Sequence, residues 1–223
     1  MKIAIRAGHN SLAVGARGII KEEVEALKVK DAVIKYLLAA KHSVIDVTPG
    51  PMGTNDDLIA GVSKANKSDA DLFVSIHFNK AYDAYKGPIG SEAWTIGPGR
   101  ASDFAQRIVN SLATVGFKNR GVKHSKGLYE LKHTRMSAII TEVCFVESEA
   151  DVSLYKKTGF DTIGKKIAEG INGAEIVEDA PDDVIYRVKV DGVQIGAYRK
   201  PENVINQLNM HWGEVKRIEV ERK

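Results

Sequence analysis

The chain of 223 residues contains a single cysteine, Cys144. That excludes an internal disulfide framework and any multi-cysteine metal cluster, so a metal held here must rely on histidines and carboxylates. No apolar run approaches the roughly 20 residues needed to cross a bilayer. Lys2 leads straight into a strand pattern, without the positive region and apolar core of a signal peptide. The expectation is a protein that does not insert into a membrane and stays in the cytoplasm of the producing cell until released. Internal repeats, low-complexity segments and a short HExxH-type zinc motif are all missing. An excess of one charge is nearly missing too: the formal net charge is +3, too mild a balance for a nucleic-acid partner.

With 43% hydrophobic and 27% charged residues, the chain can bury one substantial core and carry a small appendage. Its charge divides it. Residues 1–183 hold 24 basic and 24 acidic side chains, and residues 184–223 hold eight basic and five acidic, so the tail carries the whole excess. Between them "AEIVEDAPDD" places five acids and a proline in ten residues, the composition of a solvated linker over 175–183.

Strand-like and helix-like segments alternate before that break. "KIAIRA", "HSVIDV", "DLFVSIHFN", "GSEAWTI", "GLYEL" and "SAIITEVCFV" read as six strands. "KEEVEALKVKDAVIKYLLAAK" reads as a helix with Val24, Leu27, Ala32, Ile34, Leu37 and Leu38 near helical spacing. "TNDDLIAGVSKAN" reads as a helix capped by Thr54, and helices are also expected at "ASDFAQRIVNSLATVG" and "FDTIGKKIAEGING". The fold class is α/β, with a mixed, mostly parallel twisted sheet of about six strands flanked by helices.

Reactive groups in such sheets gather beyond the carboxyl ends of strands. Three strands end in chemistry: the first at His9, the third at His77 and the last around Glu142. Glu22 and Glu23 open the first helix. Two histidines and a carboxylate suffice for a catalytic zinc ion, and a further unligated Glu suits the proton transfers beside it. Structural readings stand next to these. A histidine after a strand is often only hydrogen-bonded, and acids in a first helical turn favour the helix dipole. His77 is harder to excuse, because an unpaired ring buried within "FVSIHFN" costs about 1–3 kcal/mol. Glu142, between "SAIIT" and "VCFV", must be paired, protonated or functional. Gly8 is expected to let the chain turn sharply and present His9. His42, His124 and His133 read as solvated, and His211 has no assigned role.

The order "RAGHN", "IIKEEVEALKV", "FVSIHFNK", "GLYELKHTRMSAIITEVCFVES" resembles the zinc-dependent N-acetylmuramoyl-L-alanine amidases of phage endolysins and bacterial autolysins. The resemblance covers residues 1–174 as a catalytic domain. It implies a single zinc ion held by His9, Glu22 and His77, with Glu23 as the alternative carboxylate, and Glu142 as the catalytic acid–base. The implied reaction is hydrolysis of the amide joining N-acetylmuramic acid to L-alanine in peptidoglycan. Asn79, two residues beyond His77 on the same strand face, is a candidate substrate contact. The short "GHNSLAVGARG" loop fits phage-type members. Met136-Ser137-Ala138 replaces the usual Met-Pro-Ala, and "TNDDLIAGVSKAN" lacks an expected arginine.

The tail, 184–223, reads as two strands around an Asp191-Gly192 turn, a helix from about Pro201, and a last strand from Val215. It looks like the small wall-binding modules of similar lysins. Its basic excess suits anionic wall polymers, and its small size suits a dimer. Two other classes remain at this point: a cysteine hydrolase using Cys144 with His77 or His133, and a non-catalytic wall-binding protein.

Overall fold

In the computed structural model the described residues are 1–177, 185–198, 204, 208 and 217–222. The chain divides into two compact units, Met1–Ile176 and Val177–Lys223.

The first unit is built on a six-stranded sheet of order β2-β1-β3-β6-β4-β5. Its strands are β1 (Lys2–Ala7), β2 (Ser43–Asp46), β3 (Leu72–Asn79), β4 (Ser91–Thr95), β5 (Asn119–His124) and β6 (Ser137–Phe145). Neighbours are parallel except β4 against β6. The long helices are α1 (Glu22–Ala39), α2 (Thr54–Asn66), α3 (Arg100–Ala113), α5 (Glu149–Thr158) and α6 (Phe160–Asn172), with a short α4 (Tyr129–His133). Period-two alternation assigns each strand residue a face. Ile3, Ile5, Leu72, Val74, Ile76 and Val143 join the larger core with residues of α1, α3 and α6. Ala4, Phe73, Ala138 and Ile140 join a smaller one with Ala65 of α2 and Leu131 of α4. The smaller face also carries the polar positions, because the register places Arg6 beside Ser75, His77 beside Glu142, and Glu142 beside Glu92.

The sheet has the expected mixed, mostly parallel character, but four local readings need correction. "GLYEL" is not a strand: Tyr129–His133 forms α4, and the sixth strand is the polar β5 instead. A five-residue helix is too short to show a helical period, and Leu131 buries itself by packing under the sheet rather than within it. On α1 the buried apolar positions are Ala26, Val29, Ala32, Val33, Tyr36 and Leu37, while Val24, Leu27 and Leu38 are exposed. Small residues carry that face because α6 packs closely upon it: the ideal β-carbon of Gly164 would overlap Ala32. Thr54 is the first residue of α2 rather than its cap, which is Gly53. His42 is half-buried against Asn172 rather than fully solvated.

The second unit contains a three-stranded antiparallel sheet of order β8-β7-β9, from β7 (Tyr186–Val190), β8 (Val193–Tyr198) and β9 (Ile218–Arg222). Asp191 (φ 50°) and Gly192 (φ 86°) form the two-residue turn, whose positive φ angles match the twist of a hairpin. In the helix expected from Pro201, Val204 and Leu208 are helical; the other residues expected there, residues 215 and 216, and His211 lie outside the described residues, and the last strand begins at Ile218 rather than Val215. Among the described residues no helix is long and apolar enough to cross a membrane.

Candidate metal centre

His9, Glu22 and His77 meet at the carboxyl ends of β1 and β3. Each offers one donor atom, and these atoms lie within 4.8 Å of one another. His9 Nε2 is 3.5 Å from Glu22 Oε2, and His77 Nδ1 is 2.9 Å from Glu22 Oε1. Glu22 is buried, and backbone N–H groups of Ala16 and Phe78 donate to its two oxygens. Glu23 turns elsewhere and pairs with Arg17 at 2.6 Å.

Glycines make the close approach. A β-carbon at Gly8 would overlap the His77 ring, and one at Gly15 would overlap the Glu22 carboxylate. Gly8 therefore supplies room rather than a turn, and the sharp conformation belongs to His9 itself, at φ 63°. Asn10 holds that loop: its Oδ1 accepts the N–H groups of Leu12 and Ala13, while Ala13 O lies 3.2 Å from His9 Nδ1.

The electrostatics are lopsided. Burial holds the His9 pKa below its ordinary value. Burial also opposes charge on His77, but Glu130 and Glu22 outweigh it and raise that ring well above the usual histidine range. For Glu22, burial favours the neutral acid, yet the two histidines prevail and the pKa falls. Glu142 behaves oppositely: burial, helped by Glu22, Glu92 and Glu130 and opposed by His77, pushes it up to about 8. Its Oε2 has no hydrogen-bond partner among the described residues. Two imidazoles with a carboxylate are a donor set for zinc, and the surrounding surplus of carboxylates suits a dication, so the residues fit a metal ion.

Glu142 lines the same cleft as His9, Glu22 and His77, and Asn79 and Glu130 line it too. Asn79 Nδ2 donates to Glu92 Oε1 at 3.1 Å, and its Oδ1 accepts from Lys80 N. Glu92 is ion-paired with Arg120 and Lys123. The thiol of Cys144 is fully buried, and burial raises its pKa well above the ordinary value, which removes the basis for a thiolate nucleophile. His133 is exposed on α4.

Sequence reasoning missed two residues here. Arg6 and Glu130 are 1% and 2% exposed; Glu130 lies against His77 Nε2, and Arg6 pairs with Glu130. The available signal was Arg6 itself, since an arginine within a strand flanked by other strands must be paired. The arginine absent from α2 thus has a neighbour from β1: the Arg6 guanidinium pairs with Asp57 of that helix.

Residues 3–173 match the family model described as N-acetylmuramoyl-L-alanine amidase. An uncharacterized protein of Clostridium perfringens is 53% identical over 181 residues, covering 80% of this chain and 54% of its own length. The endolysin of Bacillus phage SPP1 is 32% identical over 178 residues, covering 77% of this chain and 64% of that relative. Among solved structures, the catalytic domain of the CD27L endolysin targeting Clostridia Difficile superposes with a TM-score of 0.71 at 27% identity, covering 79% of this chain and 99% of that one. The chain spans about half the length of the Clostridium perfringens relatives it matches. With the family's model matched from β1 to the end of α6, the chain belongs to the N-acetylmuramoyl-L-alanine amidase family.

Proposed function

We propose that the protein hydrolyses the amide bond between N-acetylmuramic acid and L-alanine in peptidoglycan, as a zinc-dependent endolysin that acts on the wall after release. The supporting observation is the convergence of His9, Glu22 and His77 beside a carboxylate, Glu142, that has no partner on one oxygen. Zinc held by the three donors would act as a Lewis acid toward the amide carbonyl and lower the pKa of water. Glu142 removes a proton from the attacking water and returns it to the departing alanine amine. A pKa raised toward neutrality suits a group that must gain and lose a proton in one cycle. Asn79, with one amide N–H given to Glu92, keeps the other to orient a peptide carbonyl. The phage reading, rather than a bacterial autolysin, draws support from the endolysin relative. Digestion of purified walls should release new amino-terminal alanine with no new reducing sugars. Reducing ends in step with lysis would mean a glycosidase and would refute the assignment.

Residues 184–223 are proposed to hold the enzyme on the wall through anionic polymers, and to be the place of any dimer contact. A chain ending at about Ala180 should cleave soluble muropeptide at an unchanged rate while binding intact walls more weakly. For the full chain, that binding should fade with salt, since exposed charges are screened beyond about 8 Å at physiological ionic strength. Equal wall binding by the shortened chain would remove the targeting role.

A further inference from the structure

A continuous polar path runs behind the two histidines. His77 Nε2, the nitrogen turned away from Glu22, lies 2.9 Å from Ser75 Oγ and 3.4 Å from Glu130 Oε2. The Ser75 hydroxyl donates to Glu130 Oε1 at 3.1 Å, and Arg6 Nε stands 3.3 Å from that same oxygen. Arg6 also pairs with Asp57, whose Oδ1 accepts from Asn10 Nδ2 at 3.0 Å. Asn10 is the residue that ties down the His9 loop. Buried networks of this kind are poor stabilisers, because desolvation offsets most of their attraction. Their value here lies in what they hold.

The proton positions follow from the donor inventory. A carboxylate on Glu130 only accepts, so the one hydroxyl proton of Ser75 points to it and Ser75 Oγ is left to accept. His77 Nε2 then faces two acceptors and must carry a proton. Arg6 Nε, which can only donate, stands 3.3 Å from Glu130 Oε1, so that oxygen is held as an acceptor.

We propose that Glu130, braced by Arg6, is a positioning residue that keeps a proton on His77 Nε2, so that Nδ1, facing Glu22, is the atom that ligates the metal. The same brace reaches the second histidine through Asp57 and Asn10. This rests on the reading of His77 as a zinc ligand. Carboxylates behind ligating histidines typically change metal affinity about 10- to 100-fold when altered.

Two measurements on the full chain test it. In the zinc-loaded protein, ¹⁵N spectra of labelled histidine should show His77 protonated at Nε2 and metal-bound at Nδ1; the opposite tautomer overturns the proposal. Glu130→Gln should weaken zinc about 10- to 100-fold in competition with a chromogenic chelator. An unchanged zinc affinity in folded Glu130→Gln also overturns it, and the spectra of the parent protein decide the matter if that variant does not fold. His77→Ala separates the two levels. If that variant binds zinc as the parent does, the ligand reading itself has failed; if it loses zinc while Glu130→Gln does not, only the positioning role has failed.

Discussion

Glu142→Gln should lower the rate of wall hydrolysis by about 10²- to 10⁴-fold, the usual contribution of general acid–base help, while the protein still takes up zinc. The carboxylate stands beside His77 in the sheet register, yet it is not one of the three clustered donors, so its loss removes proton transfer and leaves the metal cage whole. Loss of zinc together with activity would make it a fourth ligand instead. A second readout uses the pKa of about 8 against an ordinary 4.5. Between those values the folded metal-free protein keeps a proton that the unfolded chain has released, so its stability falls as pH rises. The glutamine variant lacks that penalty. In chelated protein it should melt with the parent below pH 4.5 and above it at pH 8 and beyond, by at most a few kcal/mol. Identical melting at both ends would show that the carboxylate is not strained by its surroundings.

The other large effect concerns the metal. A strong chelator should abolish lysis, and added zinc should restore it, because several kcal/mol of transition-state stabilisation corresponds to roughly a thousandfold or more in rate. His77→Ala and His9→Ala should fail to recover with zinc. The neighbouring carboxylates should separate cleanly: Glu22→Gln should lose metal, whereas Glu23→Gln should weaken only the pair with Arg17 and keep both zinc and lysis. Full activity in metal-free protein would end the zinc mechanism.

Much of this was legible because strands and ligands follow simple periods. The alternation of Ile3 and Ile5 with Ala4 and Arg6, and the run from Leu72 to Phe78, are enough to define the central strands. The choice between Glu22 and Glu23 was not, since adjacent helical residues point about 100° apart and only the position of the β3 end settles which one faces His77. "NRGVKH" hid β5 because an edge strand need not be apolar. Glu130 stayed hidden for a different reason. Its partners, Arg6 and Ser75, lie 124 and 55 residues away, and no local pattern joins them.

The way the large sheet ends bears on how one copy of this unit meets another. At one margin lies β2, four residues long with Pro49 and Pro51 just beyond it. At the other lies β5, whose pairing with β4 slips in register and whose Arg120, Gly121 (φ 77°) and Lys123 place charge and a kink along the strand. Short, charged and bent margins are poor templates for another chain's backbone. The two margins of this unit's large sheet therefore disfavour edge-to-edge pairing between copies of it.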